Sequence, residues 1–304
     1  MQNNLYWVLP GTYLGILLAS YVHYGILFQF SLGLYSLAAL PIVVVLGRSK
    51  EFLKNWTPFM ILLLSYEALQ GIAGFVASRG SVVSLATLDR SLWGFNVTGF
   101  VQSAFSSQDL TYIATFLYSL HFPLVIATAI FFWYSDRATY TKYVYALLIT
   151  SYLSLFTFVL MPTAPPWYSG VALNSVGSST GSMSGFFNGI AQLSRAIESD
   201  KFAAFPSLHG AYAVLFCYYM IRSRRKLAIV ALPLTFGILF STLYLGQHYL
   251  IDLVGGAIYA AFSIVIVGKY LARRASSKRD SRTASASTGG VQTVSPASSS
   301  KSKE

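Results

Sequence analysis

The sequence predicts an all-α fold, a polytopic membrane helical bundle with a six-helix core and two further helices at its N-terminus. Three observations predict it. Of the 304 residues, 55% are hydrophobic and only 10% are charged, where a soluble domain carries about 25% charge. Apolar runs recur along the chain, and about 20 such residues cross a bilayer. The turns between them alternate in basic charge, as loops on opposite sides of a membrane do.

The elements follow in order. Leu5 to Leu46 is apolar almost throughout, long enough for two crossings, and His23-Tyr24-Gly25 marks a tight turn between them. One long helix with an interfacial start is the alternative. Trp56 to Ala77 is the first core span. Arg79 to Asp109 mixes Arg79, Asp89 and Arg90 with apolar residues and reads as amphipathic, lying at the interface. Thr111 to Tyr134 and Tyr143 to Met161 span next. The second of these stops at Pro162, because three prolines among Pro162, Pro165 and Pro166 cannot continue a helix. A Gly/Ser-rich loop from Ser169 to about Gly185 leads into a short polar helix near residues 186–199. Pro206 to Ile221, Leu227 to Leu243 and Tyr249 to Val267 are the last three spans. Three regions result: N-terminal helices over 1–47, a transmembrane core over 48–270, and a basic, Ser-rich tail over 271–304. The tail lacks an apolar period and is expected to be disordered.

The net charge of +11 has a local origin. Eight Lys/Arg against Asp280 and Glu304 lie from Lys269 onward. Such a balance points to membrane orientation and not to nucleic acid. The turns 47–55, 135–142 and 222–226 and the tail carry the basic excess, and they alternate with the segments 79–109, 162–205 and 245–248. Basic turns are therefore expected on the cytoplasmic side, with the C-terminus, and the other set on the outer face of the cell membrane. Cys217 is the only cysteine, so no internal disulfide is expected, and the chain offers no cluster spaced to ligate a metal. The start, Met-Gln-Asn-Asn, has no basic region, so a cleaved signal peptide is not expected. Tryptophans Trp7, Trp56, Trp93, Trp133 and Trp167 read mostly as interfacial anchors, with Trp167 also placed to wall a site.

Two histidines stand at the outer ends of apolar runs, His209 in Pro206-Ser207-Leu208-His209 and His248 in Gly246-Gln247-His248. Asp252 follows His248 by four residues, one helical turn, so the carboxylate can accept from one ring nitrogen and leave the other as a nucleophile. A buried Asp merely satisfied by a neighbouring His is the alternative. Pro206 suits the first turn of a helix, which would offer the N–H groups of Ser207, Leu208 and His209 to an anion. Beside a bound phosphate His209 could act as a general acid; otherwise it caps a helix at the interface. His121, three residues after Tyr118, could line a lipid cavity or make a helix–helix hydrogen bond.

The pair Pro-Ser-Leu-His and His-x-x-x-Asp resembles the type 2 phosphatidic acid phosphatase superfamily. The branch it is most similar to contains inositol phosphorylceramide synthases. That branch accepts Leu at position 208 and has a Pro-x-x-Pro-Pro-Trp turn like Pro162 to Trp167. It also has an element like Asp89-x-x-Leu92-Trp93-Gly94 with a later Gln102. The resemblance implies His248 as the nucleophile that forms a phosphohistidine, Asp252 as its orienting partner, and His209 as the acid on the leaving oxygen. Ser207 would hold phosphate oxygens, and neither metal nor cofactor is needed. Two basic elements of the wider superfamily are missing: the Lys/Arg-Pro motif, and an Arg where this chain has Thr242. Phosphoryl transfer leans on electrostatic stabilisation, so the countercharge is expected from Lys201 first, then Arg195, Arg90 or Arg79.

The implied function is a lipid phosphotransferase, inositolphosphotransferase-like, with a membrane lipid as substrate and a lipid alcohol as acceptor. With water as acceptor the same residues make a lipid phosphate phosphatase. A transporter or lipid-binding protein using His and Asp as a proton relay is a further alternative. It would need polar residues continuing inward, but Asp252 is followed by Leu253-Val254-Gly255-Gly256-Ala257-Ile258.

Overall fold

A computed structural model describes residues 49–80, 82–175, 185 and 202–288. The expected N-terminal helices, the polar helix near 186–199, and Arg195 and Lys201 lie outside these described residues. The chain falls into two compact units, Met1–Ile264 and Val265–Glu304.

Within the first unit, the helices are α1 (Ser49–Arg79), α2 (Ala86–Trp93), α3 (Val97–Ala104), α4 (Gln108–Ser119), α5 (His121–Ser135), α6 (Arg137–Leu160), α7 (Leu208–Ser223) and α8 (Ala228–Tyr244), followed by the start of α9 (Leu250–Thr288). Two-residue strands β1 (Val83–Ser84) and β2 (Thr163–Ala164) pair in parallel. The second unit is described only as helix, to Thr288; residues 289–304 lie outside the described residues. The sequence reading begins its tail at residue 271, within α9.

Seven helices, α1 and α4 to α9, fall on the six apolar runs of the core, and the interfacial segment becomes α2 and α3. Three helical stretches among the described residues are long and apolar enough to cross a membrane: Arg137–Leu160, Arg225–Tyr244 and Leu250–Ser277. The run expected as one span over Thr111–Tyr134 is instead broken at Leu120, where α4 and α5 bend by 50°. Pro123 has no N–H to give the preceding turn, so it sits in the first turn of a new helix. The break puts His121 at a helix start.

Helix α7 is central, packing against α5, α6 and α8, while α1 packs on α6. Aromatic residues fill the contacts: Trp56, Trp133, Tyr66, Tyr143, Phe132 and Phe158 are fully buried. Trp56 and Trp133 are therefore core residues rather than interfacial anchors. Trp56 packs edge-on against Phe59, and Trp133 lies beneath the Arg137 guanidinium at 3.6 Å. Trp56 sits between α1 and α6, beside Tyr140, and Trp133 between α5 and α6, so neighbouring helices enclose them.

Buried hydroxyls link helices in pairs. Thr150 donates to Ser263 at 2.8 Å, and Ser151 pairs with Tyr212 at 2.6 Å. Hydrogen bonds across helices are a favoured association device where water is absent. The turns that the sequence marks as basic share one end of the bundle. Arg137 pairs with Glu51 at 2.9 Å, and Tyr219, near the end of α7, donates to the Lys142 carbonyl. At the same end Asp136 caps α6, accepting from the N–H groups of Ala138 and Thr139. Hydrogen bonding by Thr139 holds its carboxyl below the ordinary value. His209 stands at the opposite end of α7, and His248 lies just before α9.

Candidate active site

The turn after α6 organises the site by binding both histidine-bearing segments. Thr163, fully buried, accepts at Oγ1 from the Phe205 N–H at 2.7 Å, and its own N–H reaches the Phe202 carbonyl. This places the strand of chain that runs into Pro206 and α7. Four residues on, Trp167 donates its Nε1–H to Gln247 Oε1 at 3.2 Å and its backbone N–H to the Gly246 carbonyl. Gly246 has φ +75°, and a Cβ there would run into the Leu173 carbonyl, so a side chain would break the turn before His248. Gln102 closes the same corner, donating to the carbonyls of Leu173 and Tyr244. The two histidine segments also meet directly. The Ser207 N–H donates to the Asp252 carbonyl at 2.9 Å. Gly256 lies so close to the Ser207 carbonyl that only glycine fits.

These contacts bring His209, His248 and Asp252 together. His248 Nε2 faces His209 Nδ1 at 3.4 Å, and His248 Nδ1 faces Asp252 Oδ2 at 3.5 Å. Both histidines are 7% exposed and Asp252 is 0% exposed. The Asp252 contact is longer than a good hydrogen bond; the same Oδ2 also accepts from the Tyr249 N–H at 2.8 Å, just before α9. His248 itself precedes α9 by two residues. A carboxylate only accepts, so the proton of His248 belongs on Nδ1. Nε2 is then the lone-pair nitrogen, and it lies against His209 Nδ1.

The His209 ring is sandwiched. Tyr118 stacks on one face with centroids 4.3 Å apart and His121 on the other at 3.9 Å; His121 stacks in turn on Tyr212 at 5.0 Å. His121 thus belongs to the site through ring stacking with His209. Its three-residue spacing from Tyr118 was the only sequence signal, since the bend that aims it depends on Pro123.

Among the expected phosphate ligands, Ser207 is fully buried and caps α7, its Oγ accepting from the Gly210 N–H at 3.2 Å. Arg90 is exposed on α2 and has no polar contact with either histidine among the described residues. Arg79 lies over the Phe75 ring at 4.1 Å. The neighbour of Arg90, Asp89, is the unexpected feature. It is 1% exposed and accepts at Oδ1 from Trp93 Nε1–H at 3.1 Å and from the Ile251 N–H at 2.9 Å. Burial pushes its carboxyl above the ordinary value, against the lowering effect of those donors. Thr98, also buried, donates to the His248 carbonyl at 3.0 Å. No sequence pattern marked Thr98.

The family model described as the PAP2 superfamily matches residues 83–266, which hold every element of this geometry. This chain belongs to the PAP2 superfamily. As a member it is a multi-pass membrane enzyme acting on lipid phosphate headgroups, and its relatives place it in the branch resembling inositol phosphorylceramide synthases. A phosphoinositol dihydroceramide synthase of Bacteroides thetaiotaomicron is 24% identical over 217 residues, 66% of this chain and 71% of that protein. An inositol phosphorylceramide synthase of Candida albicans is 26% identical over 191 residues, 58% of this chain but 40% of the fungal protein. The catalytic subunit of the Saccharomyces cerevisiae inositol phosphorylceramide synthase is 29% identical over 121 residues, 35% of this chain and 30% of that subunit. The match therefore takes in less than half of either fungal relative. No solved structure matches this chain significantly.

Proposed function

We propose that this PAP2-superfamily enzyme transfers a phosphoinositol-type headgroup from a lipid donor to the hydroxyl of a lipid acceptor, through a covalent adduct on His248. The observation that carries the chemistry is the line Asp252 Oδ2, His248 Nδ1, His248 Nε2, His209 Nδ1, with gaps of 3.5 Å and 3.4 Å at the two ends. In the first half-reaction Nε2 of His248 attacks phosphorus. The bond from phosphorus to the donor lipid's oxygen breaks, and that oxygen takes a proton from His209, which enters the step as an imidazolium beside the phosphate and leaves it neutral. In the second, His209 takes the proton of the acceptor hydroxyl, the new oxygen–phosphorus bond forms, and the nitrogen–phosphorus bond breaks. Asp252 favours the positive charge that His248 develops.

Countercharge for the phosphate is assigned to Lys201 first, then Arg195 and Arg90, with the buried N-terminal turn of α7 at Ser207 holding oxygens. No metal is required in this scheme. The site is proposed to face outward from the cell membrane with the C-terminus inside. The basic turns support this, since they gather at the end of the bundle opposite the histidines and basic loops stay cytoplasmic. The inositol and ceramide-type classes come from the names of the relatives.

A headgroup screen tests the assignment. Protein reconstituted in lipid nanodiscs is given headgroup-labelled phospholipids with and without ceramide-type or diacylglycerol acceptors. The expected result is labelled lipid product that depends on the added acceptor, with little free headgroup phosphate. Free phosphate release that no lipid acceptor suppresses would replace transfer by hydrolysis.

A further inference from the structure

The two short helices of the interfacial segment grip the backbone of the His248 loop from two points. Ile251 lies in the first turn of α9, where a helix cannot satisfy its own N–H donors. The usual remedy is a side chain just before the helix. Here the donors are divided between two carboxylates. Asp252, within the turn, takes the Tyr249 N–H, and Asp89, from α2, takes the Ile251 N–H at 2.9 Å. On the other side of the loop, Thr98 of α3 donates to the His248 carbonyl at 3.0 Å. Trp93 holds the Asp89 carboxylate in place, one helical turn along α2.

A buried carboxylate is costly unless well hydrogen-bonded, so this side chain is not a passive filler. The hydrogen bonds of Asp89 and Thr98 reach the loop through its backbone, at the Ile251 N–H and the His248 carbonyl. What they control is the peptide backbone on either side of Tyr249, and through it where the His248 ring points. The ring has little tolerance, with a partner within 3.5 Å at each nitrogen.

We infer that Asp89 and Thr98 are positioning residues, a two-point backbone clamp that aims His248 Nε2 at the reacting phosphorus. The catalytic consequence rests on the proposed nucleophilic role of His248; the clamp itself is a statement about the backbone. It also assigns a task to the Asp89-x-x-Leu92-Trp93-Gly94 element. Asp89 accepts, Trp93 steadies it, and Gly94 at φ +81° ends α2 so that α3 can bring Thr98 to the other side.

Two readouts test it on the full-length protein in nanodiscs, with Asp89→Ala, Asp89→Asn, Thr98→Val and Thr98→Ser. The first is backbone hydrogen exchange in peptides covering residues 246–254. Exchange should accelerate in Asp89→Ala and Thr98→Val. It should stay near wild type in Asp89→Asn, which still presents Oδ1 to both donors, and in Thr98→Ser. The second is the kinetics of headgroup transfer. Misplacement of a reacting group by about 1 Å can cost about 10²-fold, so kcat should fall by about 10- to 100-fold in the first pair with KM little changed, and the second pair should retain turnover. Unchanged exchange in Asp89→Ala and Thr98→Val overturns the clamp, as does Asp89→Asn behaving like Asp89→Ala. Accelerated exchange with undiminished kcat also overturns the positioning role. If wild type transfers or hydrolyses no lipid headgroup, the proposed function fails instead, and exchange alone decides the clamp. Should Asp89→Ala not fold, the Thr98 pair carries the test.

Discussion

His248→Ala should abolish headgroup transfer, with a loss of at least about 10⁴-fold, because removing a covalent nucleophile leaves only binding and electrostatic effects. The protein should remain folded. The loop's structural contacts run through the His248 carbonyl to Thr98 and the Tyr249 N–H to Asp252, neither of which needs the imidazole. Transfer rates and the thermal unfolding midpoint of the reconstituted variant measure both parts. A variant that turns over at near wild-type rate would remove His248 from the mechanism. One that is inactive because it unfolds would fail the second part only.

His209→Ala should cost about 10²- to 10⁴-fold, the range of a lost general acid–base, and the loss should depend on the leaving group. A natural lipid alkoxide is a poor leaving group and needs the proton from His209. A donor carrying a nitrophenyl group in its place needs none, so the first half-reaction should be nearly insensitive to the substitution. Rates for the two donors, compared between wild type and variant, separate this role from a structural one. Equal losses on both donors would mean that His209 does not protonate the leaving oxygen. The stacking of Tyr118 and His121 on the two faces of the ring makes some repacking unavoidable. A repacking effect, however, would reduce both rates alike.

Much of this arrangement was legible in the chain. The four-residue spacing from His248 to Asp252 does bring the two side chains together, although His248 lies ahead of the helix, and the alternation of basic turns places the Pro162, His209 and His248 segments at one end. Local chemistry also announces the helix ends at Pro162 and Ser207. What stayed hidden depends on contacts between distant positions. Asp89 and Ile251 are 162 residues apart, and nothing in either neighbourhood requires the other. Thr163 looks like one more residue of a proline-rich turn, yet it pins the strand leading to His209. His121 entered the site because Pro123 breaks what hydropathy alone shows as a continuous span. Trp56 and Trp133 have the composition of interfacial anchors, and only the packing of α1, α5 and α6 reveals them as core. Asp252 was expected to orient His248, and the structure shows it also accepting from the Tyr249 N–H just before α9, which the spacing alone did not announce.

The covalent adduct is the centre of the mechanism, and His209→Ala offers the way to catch it. With a nitrophenyl-activated donor the first half-reaction proceeds in this variant, while the second stalls for want of a base to activate the acceptor. Alkaline denaturation preserves a phosphorus–histidine bond, and peptide mass spectrometry then locates the headgroup. The expected result is a headgroup phosphate on His248, accumulating in His209→Ala with release of one nitrophenol equivalent and absent from His248→Ala. Nitrophenol release with no adduct at His248, or with the adduct on another residue, would contradict the account.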